Sequence, residues 1–156
     1  RSASGERAVA AVPHGHWKTT TFLAALRHDQ IVAPCVFDGA INGERFLAWV
    51  RQALVQTLTP GNIVIMDNLG SHKSQAVRDA IRKVGARLIF LPPYSPHLNH
   101  DEVVWAHVKR EVSRKLVQSK DEMKQFALSA LHRIQKLPNL VRSFFQQPEC
   151  QYAAAM

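Results

Sequence analysis

The chain has 156 residues, 46% of them hydrophobic, enough for one packed domain and too apolar for a disordered segment. Twenty Lys and Arg against twelve Asp and Glu leave a net charge of +8, which favours a polyanionic partner. Two isolated cysteines, Cys35 and Cys150, argue against a disulfide scaffold or a thiolate metal cluster, and no apolar run reads as a membrane span or a signal peptide, so a cytoplasmic location is expected.

Residues 1–7 read as a polar lead-in, and Ala8–Val12 as a short strand ended by Pro13. His14 and His16 share one side of an extended segment, but without acidic or sulfur neighbours they read as turn and strand-start residues rather than a metal pair. Trp17–Leu26 is a long strand, His28-Asp29 a hairpin turn, and Ile31–Phe37 the returning strand, in which Pro34 requires an edge position or a bulge. Asp38 ends that strand; it is a weak candidate for a catalytic acid because its strand reads as an edge remote from the later acids. Asn42 is a plausible N-cap for a helix running to about Leu58, with Phe46, Trp49, Val50, Ala53, Leu54 and Thr57 on its buried face. Thr59-Pro60-Gly61 breaks it.

The apolar run Ile63-Val64-Ile65-Met66 ends on a carboxylate, Asp67. Asn68-Leu69-Gly70-Ser71 leads into a helix from about Lys73 to Val84 that buries Val77, Ala80, Ile81 and Val84 and stops at Gly85. Lys73, Arg78, Arg82 and Lys83 lie off that stripe, facing phosphates or simply water. Arg87–Leu91 is a second apolar strand, followed by the stiff loop Pro92-Pro93-Tyr94-Ser95-Pro96. Tyr94 has two readings, stacking on a sugar or base and packing the loop on the core, with packing preferred. His97, His100 and Asp101 could form another metal site, but the two histidines read rather as surface residues of the loop.

A helix from Asp101 to about Val117 carries the stripe Val104, Trp105, Val108, Val112 and Leu116, with Glu102, Ala106 and Lys109 along its border. His107, Arg110 and Arg114 occupy the more exposed side, their charge diluted by Glu111. Ser119 and Glu122 form a capping-box pattern before a helix that buries Met123, Phe126, Ala127, Ala130, Leu131 and Ile134 up to Leu137-Pro138. Residues 139–156 form a C-terminal tail after a domain spanning 1–138; its Val141, Phe144, Phe145 and Tyr152 suffice to dock on the body or on a second subunit.

Strand, helix, strand, loop, helix from Asn62 to Lys109 is the rhythm of a parallel sheet with crossovers, whose ligands collect at the carboxyl ends of strands. Asp67 sits at such an end, and Glu102 at the head of the helix beyond the loop. Brought together, the two would repel unless they shared a divalent cation; Mg²⁺ takes oxygen ligands and keeps several waters, so two or three carboxylates suffice, and paired ions can assist phosphoryl transfer. The plainer alternative is a strand-end aspartate capping the next helix and a glutamate in a first helical turn, where acids are favoured anyway. His72, close after Asp67, is placed either to orient a water or donate to a phosphate oxygen, or simply to start the helix.

The stretches Met66-Asp67-Asn68, Ser71-His72-Lys73, Leu91-Pro92-Pro93-Tyr94-Ser95-Pro96, Leu98-Asn99 and Glu102–Trp105 resemble the catalytic domain of bacterial insertion-sequence transposases of the mariner superfamily, DDE endonucleases related to retroviral integrases. The likeness extends through Pro13–Lys18 and Phe37-Asp38-Gly39 to Arg142–Phe145 and Tyr152–Ala154. It implies an α/β, RNase H-like mixed sheet with flanking helices, and an Asp-Asp-Glu triad using Mg²⁺ or Mn²⁺. On it, Asp67 corresponds to the second aspartate and Glu102 to the glutamate, as catalytic and metal ligands. His100 stands where the family usually has proline, which would loosen the helix start.

The same resemblance places the first aspartate, on the first central strand, and a helix-turn-helix region upstream of the segment like residues 1–18. The expectation is therefore a C-terminal part lacking that central strand, with strands 19–26 and 62–67 flanking a gap, and unable to cleave or join DNA by itself. The complete protein is expected to cleave and transfer DNA strands on the nucleoid, as a homodimer acting on transposon ends and target DNA. His72, Lys73, Tyr94, Lys109, Arg110 and Arg114 are the candidate DNA contacts. The alternatives are a non-catalytic nucleic-acid-binding fragment and an RNase H-like nuclease of another kind.

Overall fold

The computed structural model describes residues 19–115 and 117–146. The expected strand Ala8–Val12, the start of the strand drawn from Trp17, and the side chains of Leu116 and Tyr152 lie outside them. Two strands, β1 (Thr20–Leu26) and β2 (Ile31–Asp38), form an antiparallel hairpin. Leu23 pairs with Cys35 but Ala25 with Val32, so Ala33 and Pro34 together oppose Ala24. This is the bulge that Pro34, with no N–H to give the ladder, was expected to need. Ala33 takes a φ of 52°, and Trp49 Nε1 donates to its carbonyl at 2.9 Å, so the irregular backbone is tied to the helix that follows.

That helix, α1 (Gly43–Trp49), begins at Asn42, whose Oδ1 accepts Arg45 N at 2.9 Å. It continues with a wider π winding over Val50–Leu54 and a tighter 3₁₀ turn over Val55–Thr57. The expected buried face survives the change of pitch, with Phe46, Trp49, Val50 and Leu54 buried. β3 (Ile63–Met66) follows, then a 3₁₀ turn at Gly70–His72 and α2 (Gln75–Lys83), capped by Ser74 Oγ. β4 (Arg87–Phe90) returns parallel to β3, with Ile63 opposite Arg87 and Met66 opposite Phe90. The chain then runs through α3 (His100–Ser113), α4 (Lys120–Gln135) and α5 (Pro138–Ser143). Ser119 Oγ accepts Glu122 N at 3.1 Å, while Glu122 Oε2 reaches back to Gln118 N at 2.8 Å, one residue earlier than in the usual reciprocal box.

Side-chain alternation along β1 sorts its residues between two cores. Phe22, Ala24 and Leu26 pack on a cluster built by α3, α4 and α5 around Val108, Leu131 and Val141. Leu23 and Ala25 pack on the other, built by α1, α2 and β3 around Phe46, Val50 and Ile81. Phe144 and Phe145 join the first core, so the C-terminal helix docks on the body. Burying one such side chain stabilises by about 1.5–3 kcal/mol, so these clusters outweigh any single polar tie.

The two pairs of strands do not join into one sheet: among the described residues β1 bonds only to β2, and β3 only to β4. Between β1 and β3 lies a cleft of about 620 Å³. Arg27, just after β1, donates to Asn62 Oδ1, just before β3, so β1 ends where β3 begins. This mixed α/β arrangement, two small sheets with flanking helices, is RNase H-like, and among the described residues no strand joins β1 to β3.

Gly85 closes α2 with a φ of +78°, and a Cβ there would lie 3.0 Å from Pro60 Cβ and 3.1 Å from Pro60 Cα. Gly85→Ala is therefore expected to destabilise the fold by about 1–3 kcal/mol, the cost of a non-glycine residue in this region. The reading is a lower urea midpoint at unchanged slope; an unchanged midpoint would contradict it.

Candidate active site

Parallel pairing makes β3 and β4 finish at one edge, and Leu91 N donates to Met66 O at 2.8 Å, extending the ladder to its last residue. Asp67 is the first residue beyond that edge. Its Oδ1 accepts Leu69 N at 3.2 Å, which bends the chain into the 70–72 turn. The same oxygen lies 2.6 Å from His72 Nδ1. That approach lies off the line of an ideal ring hydrogen bond, and Nδ1 has no other partner among the described residues. The His72 ring stacks on Phe46 of α1, centroids 4.0 Å apart and planes at 26°.

The proline loop delivers the second half of the site. Leu98 N donates to Ser95 O at 3.1 Å, Asn99 Oδ1 accepts Asp101 N at 3.1 Å, and Glu102 N donates to Asn99 O at 3.2 Å. The head of α3 is therefore capped in spite of His100 standing at the position of the usual proline. His100 is buried, its ring 4.5 Å from that of Phe145. This corrects its reading as a surface residue: the imidazole fills a place in the wall of the cleft. Asp67, His72, Asp101 and Glu102 all line that cleft.

Asp101, the expected first residue of the helix, is half-buried. Burial first, then the charges of Asp67 and Glu102, push its carboxyl up from the ordinary 3.8 to about 6, although part of its surface still reaches the cleft. A sequence signal for this existed: Asp101, Val104, Trp105 and Val108 fall at i, i+3, i+4 and i+7, so Asp101 extends the apolar stripe by one turn. Glu102, one position round the helix, is exposed. Burial accounts for the larger part of this rise; the smaller part is repulsion from the Asp67 and Glu102 carboxylates, which a divalent cation would relieve. The oxygen donors of Asp67 and Glu102 suit a hard cation such as Mg²⁺ or Mn²⁺. Among the described residues no group of three or more His, Cys, Asp or Glu side chains is gathered to hold a metal ion.

Asp38 is engaged elsewhere. Its oxygens lie 2.6 Å from Lys120 Nζ and 2.7 Å from Lys124 Nζ, and hydrogen bonds from these two hold its carboxyl down at about 2. It fastens α4 to the end of β2. Among the basic candidates, Lys73, Lys109 and Arg110 are exposed, and Arg110 Nη2 lies 3.3 Å from His107 Nδ1. Arg114 pairs with Glu111 at 3.2 Å yet stays 67% exposed. Arg78 lies over the Phe90 ring, 4.7 Å from its centroid, which accounts for its place off the buried stripe. Tyr94 is fully exposed at a φ of 56°, so the loop is not packed on the core through this ring, contrary to the preferred expectation.

A family model described as "DDE superfamily endonuclease" matches residues 1–124. No curated protein sequence matches. Among solved structures, the Mos1 transposase paired-end complex with left transposon end is similar at 14% identity and a TM-score of 0.60, over 92% of this chain and 48% of that one. The Mos1 strand transfer complex aligns at 16% identity and a TM-score of 0.62, over the same shares. The catalytic domain of Mos1 mariner transposase aligns at 16% and 0.55, over 81% of this chain and 74% of that one. The chain thus spans about half the length of the first two, and at these identities the likeness establishes the fold. Among the described residues no helix is long and apolar enough to cross a membrane.

The raised Asp101 carboxyl has a consequence for stability. The folded chain holds this proton more tightly than the unfolded chain, so the stabilising contribution is complete below about pH 4 and is lost as pH rises through about 6. Asp101→Asn is expected to melt at a higher temperature than the parent at about pH 8 and close to it at about pH 4. A variant less stable at the higher pH would contradict this.

Proposed function

Because this chain belongs to the DDE superfamily of endonucleases, we propose that it carries two of the acids, Asp67 and Glu102, for transposase-type cleavage and transfer of DNA strands. The observation that carries the proposal is that Asp67 and the head of α3 line one cleft, with Asp101 sensing both Asp67 and Glu102. Asp67 and Glu102 would hold Mg²⁺ or Mn²⁺ through carboxylate oxygens. When bound, the cation supplies charge stabilisation for in-line displacement at phosphorus.

In the cleavage step a water oxygen bonds to phosphorus, the P–O3′ bond breaks and a 3′-hydroxyl is released. In the transfer step that hydroxyl attacks a phosphodiester of the target and displaces its 3′ oxygen, so the number of phosphodiester bonds is conserved. The open cleft between β1 and β3 is the place for a further acid-bearing strand, parallel to β3 and antiparallel to β1, to complete the ligand set. Lys73, Lys109, Arg110 and Arg114 supply phosphate contacts, and exposed Tyr94 a stacking face for a base or sugar. The substrates proposed for the complete assembly are transposon ends and target DNA, bound by a homodimer; such a substrate places the working protein on the nucleoid.

Two assays test this reading. The chain as it stands is expected to bind duplex DNA with strong salt dependence but not to cut it. Lys109→Ala should weaken binding and lower the salt slope by about one, and Tyr94→Ala should weaken single-strand binding by about 1–3 kcal/mol. With an acid-bearing strand supplied, Mn²⁺-dependent cleavage of a transposon end should appear and fall to background in both Asp67→Ala and Glu102→Ala, with DNA binding retained. Cleavage that survives either substitution would overturn the assignment, and binding without any cleavage would favour a non-catalytic DNA-binding role.

A further inference from the structure

Asp67 offers two oxygens, and the surroundings treat them differently. Oδ1 is occupied from two sides, by the Leu69 N–H at 3.2 Å and by His72 Nδ1 at 2.6 Å. Oδ2 makes no hydrogen bond to the described residues, and the carboxylate side chain is 44% exposed at the cleft. His72 is only 15% exposed, and its Nδ1, buried from solvent, makes no well-formed hydrogen bond to another group among the described residues. A buried ring nitrogen beside a carboxylate is poorly placed for a phosphate and well placed to fix that carboxylate.

The ring is itself held. Phe46 stacks on it at 4.0 Å, and Phe46 is buried, with Trp49 5.5 Å away. Trp49 is anchored in turn through Nε1 to the carbonyl of Ala33 in the bulge of the first hairpin. A continuous line of contacts therefore runs from the bulge through α1 to the carboxylate at the end of β3, joining residues far apart in the chain.

We propose that His72, clamped by Phe46, is a positioning residue that holds the Oδ1 side of Asp67 and so presents Oδ2 to a divalent cation in the cleft. The proposal rests on the reading of Asp67 as a metal ligand. It separates two properties of His72: the stacked ring, which supports the 67–72 turn, and Nδ1, which orients the acid.

Mn²⁺ binding to the full chain, measured by titration calorimetry and by the electron paramagnetic resonance of the free ion, tests this without any turnover. His72→Phe keeps a flat ring against Phe46 and removes Nδ1; it is expected to bind Mn²⁺ about 10–100-fold more weakly at an unchanged melting temperature, the usual size of such second-sphere effects. His72→Asn returns an amide nitrogen near the position of Nδ1 and should recover most of the affinity. Phe46→Leu, which loosens the clamp and leaves Nδ1, should fall between the parent and His72→Phe. Asp67→Asn should lose the site. Parental affinity in His72→Phe, with Asp67→Asn still deficient, would overturn the positioning role and leave the metal assignment standing. Equal behaviour of the parent and Asp67→Asn would overturn the metal assignment and the inference with it. Equal loss in His72→Phe and His72→Asn, with lowered melting temperatures, would show a collapsed turn and likewise overturn it.

Discussion

The parallel pairing of β3 with β4 is the constraint on which the rest of the site depends. Because both strands run the same way, the chain leaves each at the same edge, at Asp67 and at Leu91. The crossover through α2 is the price of that arrangement, and Gly85 makes it possible by turning the chain where a side chain would strike Pro60. From Leu91 the prolines restrict the backbone of the residues that precede them, and Asn99 fixes the first turn of α3. Two acids distant in the chain are thereby delivered to one cleft by backbone geometry alone.

The same cleft marks a weakness. A sheet edge with no partner carries unsatisfied backbone groups, and here β1 and β3 face each other across about 620 Å³ with no strand between them among the described residues. The two hydrophobic clusters stand on either side of the β1–β2 hairpin, whose two strands both send side chains into each. Arg27 and Asn62 bridge the sheets at one end. Burial, and after it the charges of Asp67 and Glu102, raises the Asp101 carboxyl to about 6. A cation and an acid-bearing strand would relieve these features together, the first by neutralising the carboxylates and the second by pairing the edges.

Much of this was legible in the residues because local chemistry decided it. Pro34 lacks an N–H and forced a bulge; Asn42 and Ser119 offered side-chain oxygens to helix starts; Gly85 ended a helix. The helix after Asn42 was less legible, since its shift from α to π to 3₁₀ winding answers to how Val50 and Leu54 reach the core. Which of two neighbouring acids turns inward depends on where the helix rests. Asp101 continues the stripe of Val104 and Val108, but that matters only once Phe22 and Phe145 are seen to close over the same face. His100 was misplaced for a related reason, because its burial depends on Phe145, far along the chain. The stacking of His72 on Phe46 likewise joins two elements that no local pattern connects.

The central claim is that Asp67 and the head of α3 form one cation-binding locus. Paramagnetic broadening by Mn²⁺ of the amide resonances of the isotope-labelled chain tests it most directly. The account predicts that substoichiometric Mn²⁺ broadens the amides of Asn68–Gly70 and His100–Val103 together, and that Asp67→Asn abolishes both effects. Broadening confined to one of these segments, or centred on the acids around Asp38 and Asp121, would contradict it.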